Sequence, residues 1–172
     1  MDKPLIRKES AVILLEDLSS HSLILTQRSP ALREHPGEAC FPGGRWEEGD
    51  IDLYATALRE LQEELNISPS RVQLQRAMKP ERTLTGFIIY PWLASIETLS
   101  PYQADKSEVS EVFSLPLTEV VKAANYKEII VKHHGFSFKS YQYTASKYFV
   151  WGATARIMMQ LIEEKTTGNS SG

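Results

Sequence analysis

From Ala57 to Leu65 the chain reads Ala-Leu-Arg-Glu-Leu-Gln-Glu-Glu-Leu. Wound at about 100° per residue, Tyr54, Leu58, Leu61 and Leu65 fall on one side of a helix. Glu60, Glu63 and Glu64 fall together on another, one turn apart. Three like charges so close repel and cost helix stability unless something positive sits among them. Hard oxygen donors at this spacing suit Mg²⁺ or Mn²⁺, which prefer carboxylates, water and phosphate oxygens. A bare Glu-x-x-Glu-Glu is also what a solvated helix face looks like, so the case rests on its surroundings.

The spacing predicts that helix over residues 52–66. Asn66 suits the left-handed conformation that ends a helix, and Pro69 blocks much continuation. Upstream, Ser10–Glu16 and Ser22–Arg28 are rich in Leu and β-branched residues and read as neighbouring strands. A short strand, Glu38–Phe41, runs into Pro42-Gly43-Gly44, expected as a loop. Downstream, strands are expected at Val72–Met78, Thr85–Ile96, Lys127–His133 and Phe136–Tyr143, with a turn at Gly135. A short helix is expected over Leu117–Ala124 and a last helix over Ala153–Glu164. The pattern is α+β or α/β: one domain over residues 1–165, then a frayed tail over 166–172.

Composition sets the outer limits. With 172 residues, 42% hydrophobic and 24% charged, the chain is globular. A net charge of −3 argues against a generally basic nucleic-acid binder while leaving room for a local basic patch. No apolar run reaches the roughly 18–20 residues of a membrane span, and the first residues lack a signal-peptide core. The single cysteine, Cys40, excludes an internal disulfide framework and a cysteine-based zinc site. The expectation is a cytoplasmic protein that meets neither nucleic acid nor membrane.

The context of the acidic helix is specific. Gly44, Arg59, Glu60, Leu61, Glu63, Glu64 and Ile67 stand in the order of G-x5-E-x7-R-E-U-x-E-E-x-G-U, with U apolar, and on these residues the chain resembles the Nudix hydrolase family. The interval from Gly44 to Arg59 is one residue longer than that pattern, and Asn66 replaces its last Gly, being the residue best suited to the same positive φ. Asp50 then takes the place of the first acidic residue, with Glu47 and Glu48 as alternatives. The resemblance implies an α/β/α sandwich around a mixed sheet. It also implies water attack on phosphorus in a nucleoside diphosphate derivative, assisted by Mg²⁺ or Mn²⁺. In that picture Glu60 and Glu64 hold the metal, Glu63 is a third ligand or the base, and Arg59 supports the carboxylates from the side. Gly43 and Gly44 permit a tight backbone path beside the metal and substrate.

A second motif precedes the first. Ile24-Leu25-Thr26-Gln27-Arg28-Ser29, Arg33, Gly37 and Phe41-Pro42-Gly43-Gly44 follow L-L-T-x-R-[SA]-x3-R-x3-G-x3-F-P-G-G, similar to the coenzyme A diphosphatase branch of that family. The extra residue before Arg59, Glu108-Val109-Ser110 with Phe113, and Tyr148–Gly152 are also similar to it. The branch implies cleavage of coenzyme A or a derivative to 3′,5′-ADP and 4′-phosphopantetheine or its acyl form. Independently of that name, Arg28 and Arg33 concentrate positive charge next to the acidic helix, and guanidinium groups bind phosphate through paired bonds. The plainer alternative pairs both arginines with Glu34 and Glu38.

Glu108 is either one more carboxylate near the metal or a solvated loop residue. His35 is a phosphate donor or a loop residue. Cys40 reads as a buried, inert thiol. His133 and His134 read as structural, since adjacent strand residues face opposite ways. Phe87, Tyr90 and Trp92 read as core. The rivals are a Nudix hydrolase of ADP-ribose, a dinucleotide or a nucleoside triphosphate, and a non-catalytic binding module of the same fold. Oligomeric state is not legible.

Overall fold

Alternation along one strand divides the interior in two. On β1 (Glu9–Asp17), Ala11, Ile13 and Leu15 enter one apolar cluster while Leu14 enters the other. On β2 (Ser22–Arg28), Ile24 joins the first cluster, and Leu23 and Leu25 join the second. The computed structural model describes residues 7–168, and side chains over 7–162.

Next come β3 (Ala39–Cys40), β4 (Gly43–Arg45), α1 (Leu53–Leu65), β5 (Gln73–Ala77), β6 (Glu81–Arg82), β7 (Ile88–Ile96) and β8 (Val109–Pro116). They are followed by α2 (Leu117–Val120), β9 (Tyr126–His133), β10 (Phe136–Tyr143), β11 (Val150–Trp151) and α3 (Gly152–Gly168). The main sheet runs β3-β2-β1-β7-β5, with β4 on β1, β6 on β7 and β8 on β2. β1 and β7 are parallel over nine paired positions and the other pairs are antiparallel, so the sheet is mixed. α1 covers one face through Ala57, Leu61 and Leu65, and α3 covers the other through Ile157, Met158 and Leu161. This is the expected sandwich. Each fully buried Leu or Ile in it contributes about 2 kcal/mol.

α1 starts and stops where its sequence dictates. The Asp52 side chain accepts the Ala55 N–H at 2.7 Å, and Asn66 caps the other end at φ 54° with its N–H on the Gln62 carbonyl.

Several boundaries differ from expectation. The expected loop at Pro42-Gly43-Gly44 is in part a strand, since Gly43–Arg45 pairs with β1. A side chain at Gly43 would put its Cβ 2.2 Å from the Ala11 carbonyl oxygen, so only glycine allows that approach. The strand expected from Thr85 begins at Ile88, because a turn closes between Thr83 and Phe87. The helix expected to Ala124 ends at Val120, followed by a 3-10 turn over Ala123–Asn125. His133 ends β9 but His134 lies in the turn at φ 48°, and their rings meet edge-on at 4.1 Å rather than facing opposite ways. The final helix continues through Gly168, into the expected tail, and residues 169–172 lie outside the described residues.

Candidate active site

Two turns of α1 and one loop bring three carboxylates together. Oxygens of Glu60, Glu64 and Glu108 all lie within 4.8 Å of one another. Glu60 and Glu64 are stacked one turn apart on the helix. Glu108 arrives at the start of β8, positioned by a clip onto the end of α1. There, the Gln103 N–H bonds the Leu65 carbonyl at 2.9 Å and the Asp105 N–H bonds that of Glu64 at 2.8 Å. These are carbonyls that a helix end leaves without partners. The Asp105 carbonyl then accepts from the amides of Glu108 and Val109, and its side chain accepts from the Ser107 amide and hydroxyl. The Glu108 carbonyl in turn accepts the Ser29 N–H at 2.8 Å, tying this turn to the basic loop.

The carboxylates are poorly solvated. Glu64 is 5% exposed, and burial first, then the Glu60 and Glu108 charges, push it well above the usual range. Arg28 and the Gly43 N–H work in the opposite direction. Burial raises Glu60 to about 7, with Glu63 and Glu108 adding to the rise and Arg59 opposing it. Glu108 is raised as well, by burial first and then by the Asp105 and Glu63 charges. Gly44 presses against this group, since a Cβ there would lie 2.5 Å from the Glu60 carboxyl carbon. Buried hard oxygens that raise one another's proton affinity fit a divalent cation, which would relieve burial and repulsion together. Glu63 stands outside the group: its side chain is half exposed and meets Arg59 Nη1 at 3.3 Å.

Arg59 fastens the loop before α1 to the helix. Its Nε and Nη2 donate to the two oxygens of Asp50 at 2.9 and 3.2 Å, Nη1 to Glu60 at 3.0 Å, and Nη2 to the Arg45 carbonyl at 3.0 Å. Glu47 lies 3.5 Å from Nη1. Asp50 also accepts from the Thr56 hydroxyl and the Glu47 amide, and is held down to about 2, chiefly by Arg59. Of the three acidic candidates in that loop, Asp50 is the one built into the site's frame. Glu48 enters no described interaction.

The basic loop is arranged otherwise than the plainer expectation. Glu34 pairs with Arg45, and Glu38 pairs with His35 at 3.2 Å. Arg28 donates Nε to the Glu34 carbonyl while its charge acts on Glu64 and Glu108. The exposed Arg33 makes no side-chain hydrogen bond or ion pair with any described residue. Cys40 is half-buried rather than fully buried, and desolvation pushes its thiol up to about 11. Trp92 packs on Tyr54 at 5.4 Å, and Phe87 lies under the Arg45 guanidinium at 4.6 Å.

Sequence reasoning passed over Asp105, Thr56 and Arg45. Only Asp105 carried a signal, the Asp-x-Ser spacing of a side-chain-closed turn. Replacing Asp105 with Ala should lower kcat about tenfold and raise the Mg²⁺ concentration needed for half-maximal rate, with substrate KM little changed. Asn at 105 retains the acceptor and should restore most of the rate. Steady-state kinetics across a Mg²⁺ titration reads this, and an unchanged metal requirement would refute the positioning role.

Such a carboxylate cluster, set on a capped helix against a mixed sheet, has the donor set to hold a divalent ion. Residues 6–133 match the family model of the NUDIX domain, and the chain belongs to the Nudix hydrolase family, enzymes acting on phosphoanhydride bonds. As a member it acts on nucleoside diphosphate derivatives, and such enzymes generally require a divalent metal ion. It is 36% identical to the uncharacterized Nudix hydrolase NudL of Shigella flexneri over 160 residues, 92% of this chain and 83% of that protein. With the uncharacterized NudL of Klebsiella pneumoniae it shares 40% over 139 residues, 81% of this chain and 72% of that one. A C. elegans Ap4A hydrolase in a binary complex superposes with a TM-score of 0.60 at 16% identity, covering 95% and 99% of the two chains, a likeness of fold. No helix among the described residues is long and apolar enough to cross a membrane.

Proposed function

We propose that this enzyme hydrolyses the diphosphate of coenzyme A or its derivatives, yielding 3′,5′-ADP and 4′-phosphopantetheine or the acyl form. The observation that carries the reading is the basic loop. Arg28 lies beside the carboxylates, and Arg33, five residues on, projects without a described protein partner. A diphosphate with an additional 3′-phosphate needs cations at two such places. The full motif from Leu25 to Gly44 supports the same substrate.

In this reading Glu60 and Glu64 hold Mg²⁺ or Mn²⁺, and Glu63 can complete the set by turning in from Arg59. When bound, the ion supplies a Lewis acid that neutralises phosphate charge and acidifies water. Glu108, whose proton affinity is raised by burial, takes a proton from the attacking water. The water oxygen bonds to phosphorus, the bridging P–O bond breaks, and the leaving phosphate departs with the electron pair. Arg59 keeps Glu60 and Asp50 in place. Gly43 lets the backbone lie against β1 and Gly44 leaves room for the Glu60 carboxylate, so both bring this strand to the edge of the substrate site, with the Gly43 N–H steadying Glu64. Cytoplasmic location belongs to this proposal, since that is where coenzyme A would meet the enzyme.

Mass spectrometry of products from coenzyme A, dephospho-coenzyme A, ADP-ribose and NADH, with Mg²⁺ or Mn²⁺, tests the assignment. Coenzyme A should be preferred and give 3′,5′-ADP. Preference for another diphosphate would retain the carboxylate site and discard the substrate, and cleavage of none would favour a binding module. Arg33→Ala should raise KM for coenzyme A about tenfold, and that for dephospho-coenzyme A by less than about twofold. Equal effects on both would remove Arg33 from 3′-phosphate recognition.

A further inference from the structure

The small sheet, in the order β11-β10-β9, leaves one edge of β9 without a strand partner among the described residues. β9 and β10 are joined by His134 and Gly135, both at positive φ (48° and 78°), in the two-residue turn that suits a hairpin. The turn closes on the pair His133 and Phe136. Hydrogen bonding alternates along an antiparallel ladder. Lys127, Ile129, Val131 and His133 therefore turn their peptide groups to β10, while Glu128, Ile130 and Lys132 turn theirs to the free edge. No described backbone group outside the hairpin bonds to those three. On one face of this edge Ile130 is 62% exposed between Glu128 and Lys132, with Glu128 also 3.6 Å from Lys139 of β10, and Phe136 and Phe138 are exposed on the opposite face of the hairpin.

We propose that this edge is an interface between two copies of the chain, with β9 pairing antiparallel to β9 of a second copy about a two-fold axis at Ile130. A single strand meeting its own copy under two-fold symmetry must run antiparallel. The outward peptide groups restrict the register to those that set Glu128, Ile130 and Lys132 against one another's positions. Centring on Ile129 sets Glu128 against Ile130, and centring on Val131 sets Ile130 against Lys132. Centring on Ile130 sets Ile130 against itself and, on each side, Glu128 against Lys132 of the second copy. Only this register gives unlike charges opposite one another and an apolar centre. On the other face it sets Ile129 against Val131 of the second copy, beside Phe138, which pairs with Val131 within the hairpin. The result is one continuous six-stranded sheet across both copies, with β9 lying outside the carboxylate site.

Sedimentation velocity on the full chain, from about 1 to about 500 µM, should show a monomer–dimer equilibrium, as expected of a small interface. Lys132→Glu alone and Glu128→Lys alone should each weaken dimerisation about tenfold by setting like charges opposite. The double variant, which restores unlike pairs with the signs exchanged, should recover it. Ile130→Pro removes an outward N–H that the hairpin does not use and should abolish the dimer. Circular dichroism and unchanged turnover would show that each variant remains folded. A monomer at every concentration would overturn the proposal. So would a dimer indifferent to Ile130→Pro, or a double charge exchange that fails to restore association.

Discussion

Glu64→Gln is expected to lower kcat by about 10³-fold, the scale of losing one charge-stabilising group in a water-excluded site. The substitution is nearly isosteric, so the buried position is filled and the fold is kept. What is lost is a negative charge at the heart of the carboxylate group and, on the proposed reading, the hold on a divalent ion. Stability makes the prediction sharper than a lost rate. Glu60 and Glu64 both have raised proton affinity in the folded chain. The stability they allow is fully present below about pH 4.5, the ordinary value for Glu. It falls as pH rises through about 7, where Glu60 ionises in the folded state. The metal-free wild type should therefore melt lower at pH 8 than at pH 5, by roughly 5 °C, if other groups are matched by a reference series. Saturating Mg²⁺ should recover that loss. Glu64→Gln should melt higher than metal-free wild type at pH 8 and gain little from Mg²⁺. Differential scanning fluorimetry against pH and Mg²⁺ reads every arm. A variant that keeps a tenth of the rate, with the wild-type melting response to Mg²⁺, would remove Glu64 from the metal site.

The second large effect is expected at Arg59, where one guanidinium reaches Asp50 through two bonds, as well as Glu60, Glu63 and the Arg45 carbonyl. Arg59→Met leaves the Asp50 side chain, only 7% exposed, without its main cation. Removing one partner of a buried pair costs about 3 kcal/mol, or roughly 8 °C in a chain of this size. kcat should fall about 10²-fold, because Glu60 loses the group that fixes its orientation. Lys at this position cannot span both oxygens of Asp50 and should recover only part of either loss. The acid limb gives an independent reading. Arg59 holds Asp50 down to about 2, so its contribution is fully present above about pH 3.8 and is lost as pH falls through about 2. The difference in melting temperature between wild type and Arg59→Met should thus be constant near neutrality and shrink in strong acid. A constant difference down to pH of about 2 would show that Asp50 is not the principal partner.

The acidic helix and its C-terminal end were legible because their causes are local. Leu58, Leu61 and Leu65 recur at helical spacing and Asn66 tolerates a positive φ, while the Asp52 cap came into view only in the structure. The sandwich was legible from strands interspersed with helices and from the family resemblance; its physical cause is the near-continuous apolar run in β1 and β2, which needs cover on both faces. Gly43–Arg45 was misjudged because glycines signal loops, whereas here their missing side chains let a strand lie against β1.

By itself, the sequence determined the family, the metal-suited helix and the presence of a basic loop, all of which reside in residue types at short, regular spacing. Tertiary structure alone decided which carboxylates meet. Glu63 belongs to the same helical side as Glu60 and Glu64, yet its side chain goes to Arg59 at the surface. Glu108 lies far along the chain and enters the group because two amides of its loop find the open carbonyls of α1. Pairing within the basic loop was equally hidden: Arg45, not Arg28 or Arg33, takes Glu34 and leaves Arg33 free of a described partner. Helical period and capping act over a few residues and are written in order along the chain. Which long side chain reaches which charge depends on how loops close in space, and contacts between residues far apart in sequence settle that.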